Sequence, residues 1–275
     1  MHKTNLLNLV LFLVVISLAS IIYFSEEEST ELEKISNSNI SGISKIKIQH
    51  NQNTTSIIKS ANAHWRITEP VAVAANDFRI NSILKLLNAP VHNQYSLDEI
   101  NTSDTGLAKP LTTIQFNNHT IEFGIINPAT NLRYIKFKNT VYTIEDVYYP
   151  LLSSHFSTLV SLNLLPADSK IEKLVLANQT IAKDDNGLWQ SNSKMSADNI
   201  NRTLDHWRND QAFGVHKYMQ RGEELGEVFV YIEGQQQPLT YVITDTDPWL
   251  IIARPEIGLE YHLDIEAYNK LIAPQ

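Results

Sequence analysis

The chain has no cysteine among its 275 residues. This absence excludes disulfide bonds, thiolate zinc sites, iron–sulfur clusters and a cysteine nucleophile, and it leaves no thiol to carry a lipid anchor. Glycine is also scarce, with nine residues, and loops that bring the backbone close to a phosphate depend on glycine. Neither a phosphate-binding glycine loop nor the Gly-x-Ser-x-Gly motif of hydrolases occurs in the sequence.

Basic residues are outnumbered by acidic ones. Lysine and arginine total 22, aspartate and glutamate total 30, and the formal net charge is −8. Because contacts to phosphates need clustered cations, this balance argues against a nucleic-acid partner. The length suits one large or two small domains with a sizeable core.

Residues 6–24 form a predominantly apolar run of 19 residues without a charge. A helix of 19 residues is roughly 28 Å long, which is close to the hydrocarbon thickness of a bilayer. Lys3 precedes the run and Glu26–Glu28 follow it, so we expect a transmembrane helix at 6–24 with residues 1–5 in the cytoplasm. In a bacterium this topology predicts an inner-membrane protein with its remainder in the periplasm. A cleaved signal peptide, with small residues at Ser17–Ala19, is the alternative.

Residues 25–42 are polar and acidic, a composition typical of a linker. A helix that continues from the membrane through Leu32 and Ile35 is the alternative. Beyond this segment the pattern of residues divides the chain into two similar stretches, and we expect two modules at 43–165 and 166–275.

The strongest sign of duplication is a pair of amphipathic helices displaced by 120 residues. Each carries a buried stripe at positions i, i+3, i+4 and i+7. The first stripe consists of Ile80, Ile83, Leu84 and Leu87, and the second of Ile200, Thr203, Leu204 and Trp207. Asn76 and Ser196, which are also 120 residues apart, are both good N-cap residues.

Strands with alternating apolar residues flank both helices. A predicted hairpin precedes each helix, and four predicted strands follow it, at 112–116, 120–123, 134–137 and 141–144 in the first stretch and at 228–231, 239–242, 249–253 and 260–263 in the second. A short helix-like stretch closes each copy. The predicted fold is therefore α+β: two tandem modules, each a β-hairpin, an amphipathic helix and a mostly antiparallel four-stranded meander with a short terminal helix.

Several motifs of the first module resemble a known family, the bacterial domain of unknown function 4340. They are Trp65 with Pro70, the segment Gly106, Leu107 and Pro110, and the series Gly124, Asn127, Pro128 and Tyr134; Trp189 repeats the position of Trp65 in the second module. The second module departs from the pattern. Gly214 and Val215 are the nearest equivalents of Gly106 and Leu107 but lack the following proline, and Asp245 to Pro248 replaces the Asn-Pro pair.

The resemblance implies an exported, membrane-anchored protein without an established activity. Some members of the family resemble accessory components of ABC-type transport systems, and this association is an analogy, since a shared fold does not transfer function.

Residues that could carry chemistry are present without a convincing arrangement. The nine histidines include no helical pair with metal-ligand spacing, so no metal and no cofactor is expected. Asp184 to Gly187 is typical of a hairpin turn and lacks the distal glutamate of a calcium loop. Asp245 and Asp247, with Glu256 and Glu260, could supply a carboxylate pair for glycoside hydrolysis, but acids beside Pro248 are more typical of a solvated turn.

The aromatic residues suggest binding surfaces. Trp65 and Trp189 recur before a chain break and are better explained by core packing. Trp249 at a strand start, and Tyr148 with Tyr149, are candidates for an interaction surface, although packing between modules would equally explain the two tyrosines.

The predicted function is that of a non-catalytic protein-interaction domain, an accessory component of an envelope or ABC-type transport complex. A glycan- or small-ligand-binding module that uses an aromatic cleft between the modules, containing Trp249 or Tyr134, is the alternative. An envelope hydrolase that uses Asp245 and Asp247 is a third hypothesis.

Overall fold

The computed structural model describes residues 3–24 and 32–275. The first two residues of the predicted cytoplasmic segment 1–5, and residues 25–31 of the predicted linker 25–42, lie outside the described residues. Helix α1 spans Lys3–Phe24. Within the described ranges no helix has both the length and the apolarity needed to cross a bilayer, a crossing that takes about 20 consecutive apolar residues. The predicted transmembrane helix at 6–24, and the inner-membrane location with a periplasmic remainder, are therefore wrong.

The prediction of an α+β fold is confirmed, since the described chain forms two antiparallel sheets and few helices. The first sheet has nine strands in the order β4-β3-β2-β1-β6-β7-β8-β9-β5. Their bounds are β1 Lys45–His50, β2 Asn53–Lys59, β3 Trp65–Glu69, β4 Val73–Ala74, β5 Asn93–Ser96, β6 Thr112–Phe116, β7 His119–Ile126, β8 Arg133–Phe137 and β9 Thr140–Ile144.

The second sheet has eight strands in the order β12-β11-β10-β14-β15-β16-β17-β13. Their bounds are β10 Ile171–Val175, β11 Thr180–Lys183, β12 Trp189–Ser191, β13 Gly214–Lys217, β14 Gly226–Ile232, β15 Leu239–Asp245, β16 Trp249–Arg254 and β17 Leu259–Asp264. The two sheets follow the same order of elements, apart from the additional short edge strand β4 in the first sheet.

One α-helix precedes an edge strand in each half of the chain. In sequence, α2 lies between β4 and β5, and α4 lies between β12 and β13. Helix α2 spans Asp77–Leu84, and Asn76 caps it by accepting the Arg79 N–H bond; helix α4 spans Ala197–Asn209, and Ser196 caps it by accepting the Asn199 N–H bond. Both predicted caps and both predicted apolar stripes are confirmed, because every stripe residue is buried. The remaining short helical segments are α3 at Tyr149–Ser153, 3-10 turns at Ile40–Gly42, Lys85–Asn88, Phe156–Leu159 and Pro255–Ile257, and a π-helical turn at Tyr268–Ile272.

The predicted hairpins and meanders join into continuous sheets. Strand β1 pairs with β6, and β10 pairs with β14, so that the first strand of each hairpin lies beside the first strand of each meander. Five strands were not predicted: β3, β4 and β5 of the first sheet, and β12 and β13 of the second. The edge strand β5 pairs with β9, and the edge strand β13 pairs with β17. After β5 and after β13 the chain crosses back over the outer face of the sheet, the face opposite the buried core. Residues 97–111, the first crossover, lead to β6, and residues 218–225, the second crossover, lead to β14.

The connection between the sheets packs against both of them. The N–H group of Asn76 donates to the carbonyl of Leu159 at 2.8 Å, and the N–H group of Ala212 donates to the carbonyl of Leu162 at 2.9 Å. Leu164 is buried, and its carbonyl accepts the hydroxyl of the buried Tyr241. One continuous cluster of buried apolar residues consequently runs through both sheets.

The described part of the predicted linker lies against the first sheet. The N–H group of Ile35 donates to the carbonyl of Ala89 at 3.0 Å, and the carbonyl of Glu33 accepts the N–H group of Val91 at 2.8 Å. Ile35 itself is 5% exposed and belongs to the core cluster. Ordered contacts of the globular part therefore begin at least as early as Glu33.

Candidate functional site

The first crossover packs against the outer face of the first sheet, and three motif residues lie at this contact: Gly106, Leu107 and Gly124. Gly106 has a φ of +73°, and a Cβ atom on Gly124 would lie 2.1 Å from the carbonyl oxygen of Thr105 and 3.2 Å from Leu107. Leu107 is buried, and Pro110 precedes β6. The absence of a side chain at Gly124 lets the crossover approach the backbone of β7, so this motif has a structural role.

The motif Asn127-Pro128 with Tyr134 forms the turn between β7 and β8. The amide of Asn127 donates to the hydroxyl of Tyr134 at 2.8 Å, and its carbonyl oxygen accepts the N–H group of Ala129 at 2.9 Å. Pro128 is exposed at the tip of the turn. These contacts hold the turn closed.

The two recurring tryptophans occupy sheet positions beside lysines. Trp65 is 3% exposed, and its backbone N–H group donates to the carboxylate of Asp77 at 2.8 Å. Trp189 is partly buried in the edge strand β12, with the ammonium group of Lys183 5.4 Å from its ring centre. Pro70 lies just after β3 at the surface.

Tyr148 and Tyr149 pack against the first sheet. The guanidinium of Arg133 lies 3.6 Å from the ring centre of Tyr149 and also pairs with Asp146, its Nη2 donating at 3.0 Å. Both tyrosine rings contact the core cluster, and burial raises the pKa of the Tyr148 hydroxyl. The contact between the Tyr149 ring and the Arg133 guanidinium is therefore part of the packing of the first sheet.

Trp249 lies in an exposed aromatic group on the outer face of the second sheet. Its ring centre is 5.1 Å from that of Phe213, the Phe213 and His262 rings are 6.1 Å apart, and the His262 and His216 rings are 4.5 Å apart. Phe213 is 51% exposed and Trp249 is 44% exposed. We call these four residues, Phe213, His216, Trp249 and His262, the aromatic surface.

A fully buried carboxylate, that of Glu260, contacts His262 of the aromatic surface. Glu260 is 0% exposed, and each of its two oxygens accepts two hydrogen bonds. Both terminal nitrogens of Arg221 donate hydrogen bonds to the carboxylate, at 2.8 and 2.6 Å. The N–H group of Met219 donates to it at 3.0 Å, and the Nε2 atom of His262 lies 2.9 Å from its Oε1 atom. Because Arg221 and Met219 belong to the second crossover, Glu260 fastens that crossover to β17.

The electrostatics of this cluster pair the buried charge of Glu260 and disfavour a positive charge on His216. Burial alone would raise the pKa of Glu260, but the hydrogen bonds from Arg221, His262 and Met219 outweigh it and lower that pKa. Burial lowers the pKa of His216, and the charge of the neighbouring His262 lowers it further. His216 is therefore uncharged at neutral pH, and the charge of Glu260 is balanced by Arg221.

A cleft of about 750 Å³ lies between the two sheets. The turn between β1 and β2, the segment from Leu152 to Phe156, and Lys217, Ile257 and Gly258 of the second sheet form its walls. The predicted cleft was to contain Trp249 or Tyr134, and neither residue lines this one. Lys217 follows His216 in β13, so this edge strand presents the cleft on one face and the aromatic surface on the other.

The acidic residues considered as catalytic candidates have local structural roles. Both the Thr246 and the Asp247 N–H groups donate to Asp245, at 2.8 and 3.1 Å, which makes Asp245 the cap of the turn before β16. Asp247 is exposed, and Glu256 pairs with Arg254. Likewise, Asp184 accepts the N–H groups of Asn186 and Leu188 within the predicted hairpin turn. Within residues 3–24 and 32–275, no group of three acidic or histidine side chains has a metal-binding arrangement.

Fold and surfaces together define an α+β protein of two antiparallel sheets with a buried ion pair, an aromatic surface and an intersheet cleft. The family described as domain of unknown function (DUF4340) matches residues 65–206, which is more than half of the chain. The chain belongs to this family, as its motifs predicted. The match runs from β3 of the first sheet to α4 of the second. Neither the curated proteins nor the solved structures contain a match to the chain.

Sequence reasoning missed Phe213, Arg221 and the structural role of Glu260. Phe213 precedes an edge strand that the apolar pattern did not reveal. Glu260 was considered only as a possible catalytic acid, although it lies between apolar residues of a strand whose counterpart in the first sheet carries Val141. A charge at an otherwise apolar strand position is the signal that could have indicated a buried ion pair.

Proposed function

We propose that the chain is a protein-interaction module that binds an apolar segment of another protein through the aromatic surface. The observation that carries this proposal is the contact of two exposed aromatic rings, those of Phe213, which precedes the edge strand β13, and Trp249, the first residue of β16. Tryptophan and other aromatic residues dominate the binding energy of protein interfaces, because large rigid rings bury much area at low entropic cost.

The chemistry of the surface favours an apolar partner segment. The two imidazoles contribute ring surface, His216 is uncharged at neutral pH, and Glu260 is buried and paired with Arg221. Met219, whose N–H group donates to Glu260, adds an apolar side chain that is 57% exposed. A segment with aliphatic or aromatic side chains could cover this area without stripping water from an unpaired charge.

We further propose that the chain consists of two tandem copies of one α+β unit. The matching strand orders, the helix caps at Asn76 and Ser196, and the crossovers that follow β5 and β13 support this interpretation. The second copy has replaced the tight glycine contact of the first crossover by an ion pair. An accessory role in a larger assembly is consistent with an interaction surface on one copy, and a transport complex is the assembly that the family resemblance suggests.

Site-specific photocrosslinking in cells tests the interaction. A benzophenone amino acid at Phe213 should give a discrete adduct larger than the chain. The same amino acid at Phe78, which is 80% exposed on α2, is the matched control and should not. Trp249→Ala should reduce the adduct about thirtyfold, since loss of one hot-spot side chain costs about 2 kcal/mol or more.

Three results would contradict the proposal. They are equal crosslinking at the two positions, no adduct at Phe213, and an adduct with twice the mass of the chain. The last result would identify a second copy of the chain as the occupant of the surface. Thermal unfolding of the Trp249→Ala variant should stay close to that of the parent chain, because the side chain is partly exposed.

A further inference from the structure

We propose that the cleft between the two sheets binds a small organic anion, a carboxylate, sulfonate or phosphate group attached to an apolar body, with Lys217 as the cation that receives the anionic group. This site is separate from the aromatic surface and does not depend on the proposed protein interaction. Its volume of about 750 Å³ falls in the range of small-molecule sites, which is about 300–1,000 Å³.

The charge of the lining differs from the charge of the chain. Acidic residues outnumber basic ones by 30 to 22 in the sequence, yet no aspartate or glutamate lines the cleft. Lys217 is the one lysine or arginine among the residues that line the cleft, and within the described ranges it forms no ion pair. A ligand anion would therefore meet a positive group without a competing carboxylate in the wall.

Neutral donors accompany the lysine. The Nδ1 atom of His155 accepts the N–H group of Ser157 at 3.3 Å, which places the proton of the neutral ring on Nε2. Burial lowers the pKa of His155, and the charge of Lys217 lowers it further, in agreement with the proximity of the two groups. Asn51 and Gln52 also line the cleft, and each carries a side-chain amide donor.

The floor of the cleft is apolar. Ile48 and Leu152 are buried there, and Phe156 and Ile257 are partly buried. A purely polar ion such as inorganic phosphate would leave this floor uncovered. An anion with an aliphatic or aromatic body would cover it while its charged group reaches Lys217, and this combination defines the ligand class.

A matched pair of fluorescent probes separates the charge of the ligand from its apolar body. The probes are 8-anilinonaphthalene-1-sulfonate and N-phenyl-1-naphthylamine, which share the aromatic body and differ in the sulfonate. With the full chain, we expect saturable binding of the sulfonate. Lys217→Gln should weaken it about tenfold, as for one charge-assisted hydrogen bond of about 1.4 kcal/mol, and should change binding of the neutral probe less than twofold.

Lys183→Gln is the control variant, because Lys183 is also an exposed lysine beside an aromatic ring and lies on β11, outside the cleft lining. It should leave the binding of both probes unchanged. His155→Gln, which retains a donor at the cleft, should weaken sulfonate binding less than Lys217→Gln does. Circular dichroism should show the same fold for every variant.

The proposal is overturned if the sulfonate does not bind, if Lys217→Gln leaves its affinity unchanged, or if Lys183→Gln weakens it as much. Equal losses for the charged and the neutral probe would also overturn it, since the cleft would then recognise only apolar surface.

Discussion

Removing Arg221 should destabilise the fold by leaving a buried carboxylate without its main partner. Glu260 is 0% exposed, whereas the side chain of Arg221 is 29% exposed. Breaking a fully buried pair by removing one member costs about 3–5 kcal/mol. Solvent at Arg221 screens part of the interaction, and Met219 and His262 still contact the carboxylate. For Arg221→Leu we therefore expect a loss of about 2–3 kcal/mol in the free energy of unfolding.

Replacing both members should restore part of this loss. Val141 holds the corresponding place of the first sheet with an apolar side chain, which indicates that the architecture tolerates valine there. Glu260→Val alone should cost about 1–2 kcal/mol, because the Met219 N–H group loses its acceptor. The double variant keeps this cost but has no unpaired buried carboxylate, so it should lie about 1–2 kcal/mol below the parent chain, which is less than the sum of the two single losses.

Urea unfolding of the four proteins, followed by circular dichroism, measures this coupling. If the double variant loses the sum of the two single losses, the residues do not interact energetically and the reasoning fails. Acid adds a second readout. Because the folded pKa of Glu260 lies below its ordinary value of 4.5, its contribution is present above pH 4.5 and is lost as the pH falls through the folded pKa. In Arg221→Leu we expect burial to raise that pKa, so the dependence should reverse, with stability falling as the pH rises through the folded pKa.

Two further predictions concern the first sheet. Gly124→Ala should cost about 2–3 kcal/mol in urea unfolding, because its Cβ atom would overlap the Thr105 carbonyl; Gly42→Ala, with open space around it, should change stability by less than about 0.5 kcal/mol, and equal effects would contradict this explanation. The hydrogen bond with Asp77, and then its charge, raise the pKa of His64 above 6.5, so this pair stabilises the fold below pH 6.5 and the contribution is lost as the pH rises through the folded pKa. Asp77→Asn should return the NMR titration of His64 towards 6.5, and an unchanged titration would refute the assignment.

Local patterns were sufficient to predict most elements of the fold. The helix caps and apolar stripes are properties of a few neighbouring residues, and each predicted meander strand falls within an observed strand. The edge strands were missed because they lack the alternating burial on which the prediction depended. Strand β5 has no buried residue, and β13 has only Val215.

The pairing of distant strands could not be read from local periodicity. The contact of β1 with β6 joins residues more than 60 positions apart, and the cleft exists only because the chain between the sheets returns to both of them. Similarly, Gly214 was matched to Gly106 by residue type. The structure places Gly214 inside an edge strand and Gly106 in a crossover, so the equivalence of these glycines is wrong.

The two crossovers explain why interaction features should accumulate on the second sheet. In the first sheet a crossover without a charged anchor lies against Gly124, and only an apolar side chain, Leu107, covers the contact. In the second sheet a shorter crossover is anchored by an ion pair, which leaves His262 and Phe213 uncovered at the edge. If the Glu260–Arg221 pair positions the crossover, Arg221→Leu should disturb the aromatic surface as well as stability. Crosslinking at Phe213 should then fall together with the free energy of unfolding, and crosslinking that persists in a destabilised variant would separate the two roles.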